Sequence, residues 1–204
     1  MFDIGYKKPF VLHQNVKSIN NPKPTIFGHA FTCKGQKILH PEDMDDSIRI
    51  EMFREFTPGC IQVLESDGEK SVALFGDVSA MIAKKFGAIG AVVDAPTRDA
   101  DYIDKLNFPL FCRGIQPCSA LYVWQITEYQ TAITMDGIHG KVKIAPNDYI
   151  FGDRDGVLVI PAELVHETLV YAQKRMADED EVRRQVAEAS VEDLLKMKDD
   201  VVIW

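Results

Sequence analysis

The chain has 204 residues, 46% hydrophobic and 26% charged, ordinary globular usage that excludes a disordered, collagen-like or coiled-coil chain. Lys and Arg number 23 against 31 Asp and Glu, a formal net charge of −8. That balance argues against a nucleic-acid partner, because neutralising phosphates needs a basic surface.

No apolar run approaches the ~20 residues of a membrane span, and the opening residues lack the apolar stretch of a secretory leader. The four cysteines, Cys33, Cys60, Cys112 and Cys118, form no CxxC pair. The expectation is therefore a cytoplasmic protein with reduced thiols and no membrane partner.

In chain order, residues 1–25 are polar and broken by Pro22 and Pro24, so they read as an irregular arm. Residues 26–33 alternate as a strand should. His40-Pro41-Glu42-Asp43 opens a predicted helix running through Glu55, with Pro in the first turn and acids at the positive end of the dipole. Residues 60–64 read as a strand, Ser66-Asp67-Gly68-Glu69 as a hairpin-type turn, and 71–75 as the strand it feeds. Residues 78–86 have helical spacing ended by Gly87, and 91–93 form a short apolar strand. That strand–helix–strand order predicts parallel strands joined by a right-handed crossover. Beyond Phe108 the chain is β-rich over 109–113, 121–135, 141–144, 149–151 and 157–160. Leu164, Val165, Thr168, Leu169, Ala172 and Met176 then mark an amphipathic helix, with a second helical stretch to Met197. The reading is α/β with mixed sheets: a core over 1–161 and a C-terminal helical arm over 162–204.

Two features converge on one mouth. Gly76-Asp77-Val78-Ser79 puts free backbone N–H groups at a helix N-terminus, a site suited to a carboxylate or phosphate. Arg98-Asp99 follows the next parallel strand, and ligand crevices in open α/β sheets lie beyond the carboxyl ends of strands. Taken singly, Asp77 reads as a helix cap and Arg98–Asp99 as a surface pair. Lys84 and Lys85 read as solvated helix lysines, His29 and His139 as structural, and Cys112 and Cys118 as packing residues with no base beside them. Arg113 reads as a support for the Arg98 loop.

Asp77, twenty intervening residues, then Arg98-Asp99, set in GDVSAMIAKKFGAIGAVVDAPTRD, resembles the central motif of the RraA-like family. Gly28-His29-Ala30-Phe31-Thr32, Thr57-Pro58-Gly59, Phe108-Pro109-Leu110-Phe111-Cys112-Arg113-Gly114 and Asp153-Arg154-Asp155-Gly156-Val157 resemble its flanking motifs. Ala95 and Pro96 stand where the family usually has Gly and a small residue, which implies a stiffer loop. The resemblance implies a three-layer β/β/α swivelling fold, assembled as a homotrimer or homohexamer. Among enzymatic members it implies a class II pyruvate aldolase acting on a small 4-hydroxy-2-oxo acid, with oxaloacetate decarboxylation alongside.

Carried over by position, the amides of Gly76, Asp77, Val78 and Ser79 hold the substrate carboxylate. Arg98 contacts a substrate oxygen, Asp99 ligates Mg²⁺ or Mn²⁺, and Asp77 moves a proton through water. Glu179 matches an acid that a neighbouring subunit contributes in the family. The alternative implied role is a non-catalytic regulator of ribonuclease E, a branch that tends to lack the acid found here at Asp99.

Overall fold

Hydrophobic runs bounded by Gly, Pro and Asp turns build a mixed sheet in the unit Lys8–Ala162 of the computed structural model, which describes residues 4–196. The opening arm supplies a two-residue strand, β1 (Lys17–Ser18). Then come β2 (Ile26–Lys37), α1 (Ser47–Arg54), β3 (Cys60–Glu65), α2 (Asp77–Lys85), β4 (Gly90–Val93), α3 (Ala100–Lys105) and β5 (Leu110–Cys112). β6 (Trp124–Tyr129), β7 (Ile133–Gly137), β8 (Gly140–Ile144), β9 (Tyr149–Gly152) and β10 (Val157–Ile160) complete the unit. The sheet runs β1-β5-β4-β3-β2-β9-β10, with β6 also on β2, while β7 and β8 form a separate ribbon.

The β2–β3, β3–β4 and β4–β5 pairs are parallel. β4 is buried throughout and β3 nearly so, because both faces of this parallel centre are covered. Alternate residues serve opposite faces. Cys60, Leu64, Ala91 and Val93 meet Met52, Phe53, Ala80, Ala83 and Ile103 on the helix side. Ile61, Val63, Val92 and Phe111 meet Ile133, Met135, Val142 and Ile144 of the ribbon, with Leu12 and Val16 of the arm. A fully buried side chain of this size contributes about 1.5–3 kcal/mol, so both layers hold the sheet. The fold is the expected α/β type, with mixed sheets, helices on one face and a C-terminal helical segment.

Several local expectations need correction. The helix predicted from Pro41 to Glu55 is broken: a 3-10 turn covers Pro41–Asp43 and α1 begins at Ser47. Between them the Asp45 carboxylate accepts the Ser47 N–H at 2.9 Å, and the Asp45 N–H donates to Gln125 Oε1 at 2.7 Å. Such a side-chain turn competes with helix continuation.

Residues 71–75 do not return onto β3 as a hairpin. Ala73 and Phe75 make isolated parallel bridges to Ser119 and Thr97, and the strand that pairs with β4 is β3. The run 121–135 divides into β6 and β7 around Gln130 at φ 52°. α3 had no expectation at all.

The remaining described residues form a helical unit with α4 (Val165–Glu188) and α5 (Val191–Lys196). α4 continues well past Met176, and none of its residues is buried. Pairs such as Arg183–Glu179 at 2.8 Å and Arg184–Glu181 at 2.7 Å support a helix that is polar on most sides, by a few tenths of a kcal/mol each. α4 ends where Ser190 and Asp193 exchange side-chain-to-amide bonds and start α5. The expected helix end at Met197 lies outside the described residues. Among the described residues, no helix is long and apolar enough to cross a membrane.

Candidate active site

Three extended segments bring the predicted residues together. Leu74 N–H donates to Pro96 O, and Arg98 N–H to Phe75 O, each at 3.1 Å. The fully buried Thr97 adds its hydroxyl, donated to Phe75 O at 2.9 Å. Thr97 N–H in turn donates to Gly114 O at 2.9 Å. These bonds register the Gly76 turn against Arg98 and Asp99. A Cβ built on Gly76 would lie 2.9 Å from Asp99 Oδ2 and 3.4 Å from Arg98 Cγ and Nε. The missing side chain is what lets the turn approach both.

Gly76 is the N-cap of α2, with extended backbone at φ −155° and ψ −175°. Ala80 N–H is the first amide of the helix bonded back, to Gly76 O at 3.0 Å, which leaves those of Asp77, Val78 and Ser79 outside the helical ladder. The Val78 N–H is taken by the Asp77 carboxylate at 2.7 Å, so the cradle is open at Asp77 and Ser79 rather than along its full length. Asp77 is thus neither the cap residue nor free of local work. Its second oxygen makes no bond to a described residue.

Asp99 sits in the left-handed region at φ 60°, ψ 33°, where Asp is tolerated better than most residues. It is the N-cap of α3, but its side chain makes no capping bond. The carboxylate faces Arg98 Nε at 3.5 Å, with the two side chains 31% and 46% exposed. That is a loose pair with acceptor capacity to spare.

Below the loop, Arg113 Nε donates to Asp94 Oδ1 at 2.5 Å and its Nη2 reaches Asp136 Oδ2 at 3.3 Å. Burial pushes the Asp94 carboxyl up, against the pull of Arg113. This buried pair anchors the segment from Asp94 to Asp99, the supporting role read for Arg113.

A cavity of about 130 Å³ opens here, lined by Gly76, Asp77, Val78, Ser79 and Arg98; Asp99 stands beside Gly76 but outside that lining. The cavity is well below the ~300–1,000 Å³ of drug-sized sites, a scale for a small acid rather than a nucleotide. Its walls also carry Asp46 and Arg49 of the α1 start, and Ser119 and Trp124 near β6. Sequence reasoning missed these. The expected unbroken helix from Pro41 hid the turn that presents Asp46, and Thr97 offers no signal beyond lying beside Arg98.

Among the other nucleophile candidates, Cys118 is exposed and not the packing residue expected. All four cysteines are free, and burial pushes the Cys112 thiol up to about 11, away from the reactive thiolate. Lys84 Nζ donates to Leu106 O at 2.5 Å. His29 Nε2 bonds Thr57 Oγ1 at 2.7 Å. Glu179 lies on α4, paired with Arg183 and, at 3.7 Å, with Arg175.

Among the described residues, no group of three or more His, Cys, Asp or Glu side chains is placed to hold a metal. A single open carboxylate fits Mg²⁺ or Mn²⁺ kept largely by water, since Mg²⁺ sheds water reluctantly and is bound through one or two carboxylates.

The sequence profile of the RraA-like family, described as Aldolase/RraA, matches residues 2–159. A Halalkalibacterium halodurans protein provisionally named 4-hydroxy-4-methyl-2-oxoglutarate aldolase is 34% identical over 144 residues, 71% of this chain and 66% of its own. The Legionella pneumophila protein DlpA is 30% identical over 128 residues, 63% of this chain but 20% of its own. The chain thus spans just under two thirds of the first relative and a fifth of the second. The crystal structure of Streptomyces coelicolor RraAS2, described as an unusual member of the RNase ES inhibitor RraA family, superposes with a TM-score of 0.77 at 22% identity. That match covers 90% of this chain and 88% of RraAS2 and speaks to the fold alone.

Proposed function

The chain belongs to the RraA-like family, and from that premise we propose that it is a metal-dependent carbon–carbon lyase releasing pyruvate from a 4-hydroxy-2-oxo acid. The single observation that carries the proposal is the convergence of the Gly76 turn, Arg98 and Asp99, with a gap at Gly76 that one methyl group would fill. In the retro-aldol step the C4 hydroxyl gives up its proton, the C3–C4 bond breaks, and its electron pair moves into C2–C3 to leave an enolate oxygen on C2. Protonation at C3 then gives pyruvate, and C4 leaves as a carbonyl.

The open amides of Asp77 and Ser79, at the positive end of α2, hold the substrate carboxylate. Arg98 directs its fork at the C2 oxygen, where charge develops, and stays charged at any working pH. Asp77 keeps one oxygen on the Val78 amide and uses the other, through water, to take and return the proton. A Mg²⁺ or Mn²⁺ ion on Asp99 would supply Lewis-acid charge to the same oxygen. Oxaloacetate reaches the same enolate by losing its C4 carboxylate as CO₂, so its decarboxylation accompanies the aldolase reaction. Exposed apolar side chains on and beside α2, Val78, Met81 and Tyr102, are suited to burial against another copy of the chain, and the family resemblance implies a homotrimer or homohexamer.

The test is pyruvate release, read through lactate dehydrogenase, with Mg²⁺ or Mn²⁺ and either 4-hydroxy-4-methyl-2-oxoglutarate or oxaloacetate. Turnover by the wild type, reduced on the order of 100-fold in Asp99→Ala, is the expected result. No pyruvate from either acid, or undiminished turnover in the variant, overturns the proposal. The family's description as Aldolase/RraA carries one second reading, regulation of a ribonuclease. Inhibition of ribonuclease E that persists in Asp99→Ala, without lyase activity, would establish it.

A further inference from the structure

The cavity carries a guanidinium that the proposed chemistry does not use. Arg49 lies on α1, lines the same hollow as Gly76 and Arg98, and is only 23% exposed along its side chain. Its Nε donates to Asp46 Oδ1 at 3.0 Å. Among the described residues, neither terminal nitrogen has a hydrogen-bond or ion-pair partner. A guanidinium carries five N–H donors in a rigid fork matched to a carboxylate, and here one of them is engaged.

An i,i+3 surface pair needs no explanation when both partners sit in water. This one differs: Arg49 is more than three-quarters withdrawn from solvent and lines a cavity, with its terminal nitrogens unengaged. The Asp46 carboxylate, 48% exposed and part of the same lining, holds the Nε edge of the Arg49 guanidinium. Arg98 and the α2 N-terminus already provide for one carboxylate and one keto oxygen. The lining sets Asp46 and Asp77 against Arg49 and Arg98, so what a monocarboxylic 2-oxo acid leaves unsatisfied is the pair of unengaged terminal nitrogens of Arg49 and not a surplus of charge.

We propose that Arg49 is the specificity-determining residue for a second carboxylate, accepting the end of the substrate remote from the α2 N-terminus and so selecting dicarboxylic over monocarboxylic 2-oxo acids. This rests on the lyase reading of the same site. Arg49 touches the substrate's far end and takes no part in bond cleavage. Its loss therefore shows in KM and ligand preference, while kcat for a saturating substrate holds.

Calorimetric titration of the full chain with Mg²⁺ separates the two ideas. The ligands are pyruvate, 2-oxoglutarate, and 2-oxohexanoate, which has similar reach and one carboxylate. The wild type is expected to bind all three and to prefer 2-oxoglutarate over 2-oxohexanoate by roughly 10- to 100-fold, the range for a hydrogen bond to a charged group. Arg49→Gln should abolish that preference and keep pyruvate affinity. Arg49→Lys, with a point charge in place of the fork, should keep part of it. Preference that survives Arg49→Gln, or equal losses for all three ligands, overturns the assignment while leaving the lyase reading intact. Failure of the wild type to bind pyruvate overturns both.

Discussion

Two carboxylates outside the cavity lining, Glu69 and Asp136, are held below the usual carboxylate range. Glu69 is buried, and burial alone would raise its pKa, but the Ser71 hydroxyl and amide and the Lys37 ammonium at 2.9 Å pull it down to about 2. Asp136 is held well below the usual carboxylate range by Lys141 and Lys70, at 2.6 and 2.8 Å. A folded-state pKa below the unfolded one contributes stability that is complete above the unfolded pKa and is lost as pH falls toward the folded value. For Glu69 that window runs from 4.5 down to about 2. Glu69→Gln is expected to melt lower than wild type at neutral pH and to lose less melting temperature across that window. A variant curve parallel to wild type would show that Glu69 carries no such linkage.

At the scale of elements, the site depends on how closely the α2 turn approaches the loop after β4. The Gly76 backbone is extended, a conformation any residue adopts, so its requirement is space and not φ. In Gly76→Ala the new methyl group meets the Asp99 carboxylate and the middle of the Arg98 side chain, both flexible side chains and not backbone, which can swing away without disturbing the strands. The expected outcome is a melting temperature close to wild type with turnover lowered on the order of 100-fold, the cost of misplacing reacting groups by about 1 Å. Unchanged turnover would mean that Asp99 and Arg98 need not stand where they do.

This same turn shows what a sequence discloses. Gly76, Asp77, Arg98 and Asp99 were legible because a glycine before a helix and an Arg-Asp after a strand each have a local signature. Residues 71–75 were legible as extended but not in their pairing, since alternation says nothing about which strand lies alongside. Asp46 and Arg49 were invisible because the carboxylate of Asp45 breaks a helix whose other signals ran on. α3 was missed because its six residues offer too short a window for a 3.6-residue period.

Across the whole molecule, the loop after β4 that carries the proposed site leaves the carboxyl end of the parallel centre β3–β4–β5, which is packed between two buried layers. The arm is part of this. Leu12 and Val16 are buried in the ribbon-side core, although Asn and Pro residues around them gave the segment an irregular look.

The central claim is that a small 2-oxo acid and a divalent ion share the hollow between the Gly76 turn and Arg98–Asp99. It is tested most directly by the nuclear magnetic relaxation of ¹³C-methyl pyruvate in the presence of the protein and Mn²⁺. Bound side by side, the paramagnetic ion should broaden the methyl resonance strongly in the wild type, and the broadening should vanish in Asp99→Ala. Broadening that persists in Asp99→Ala, or a wild-type resonance as sharp as that of free pyruvate, would contradict the account.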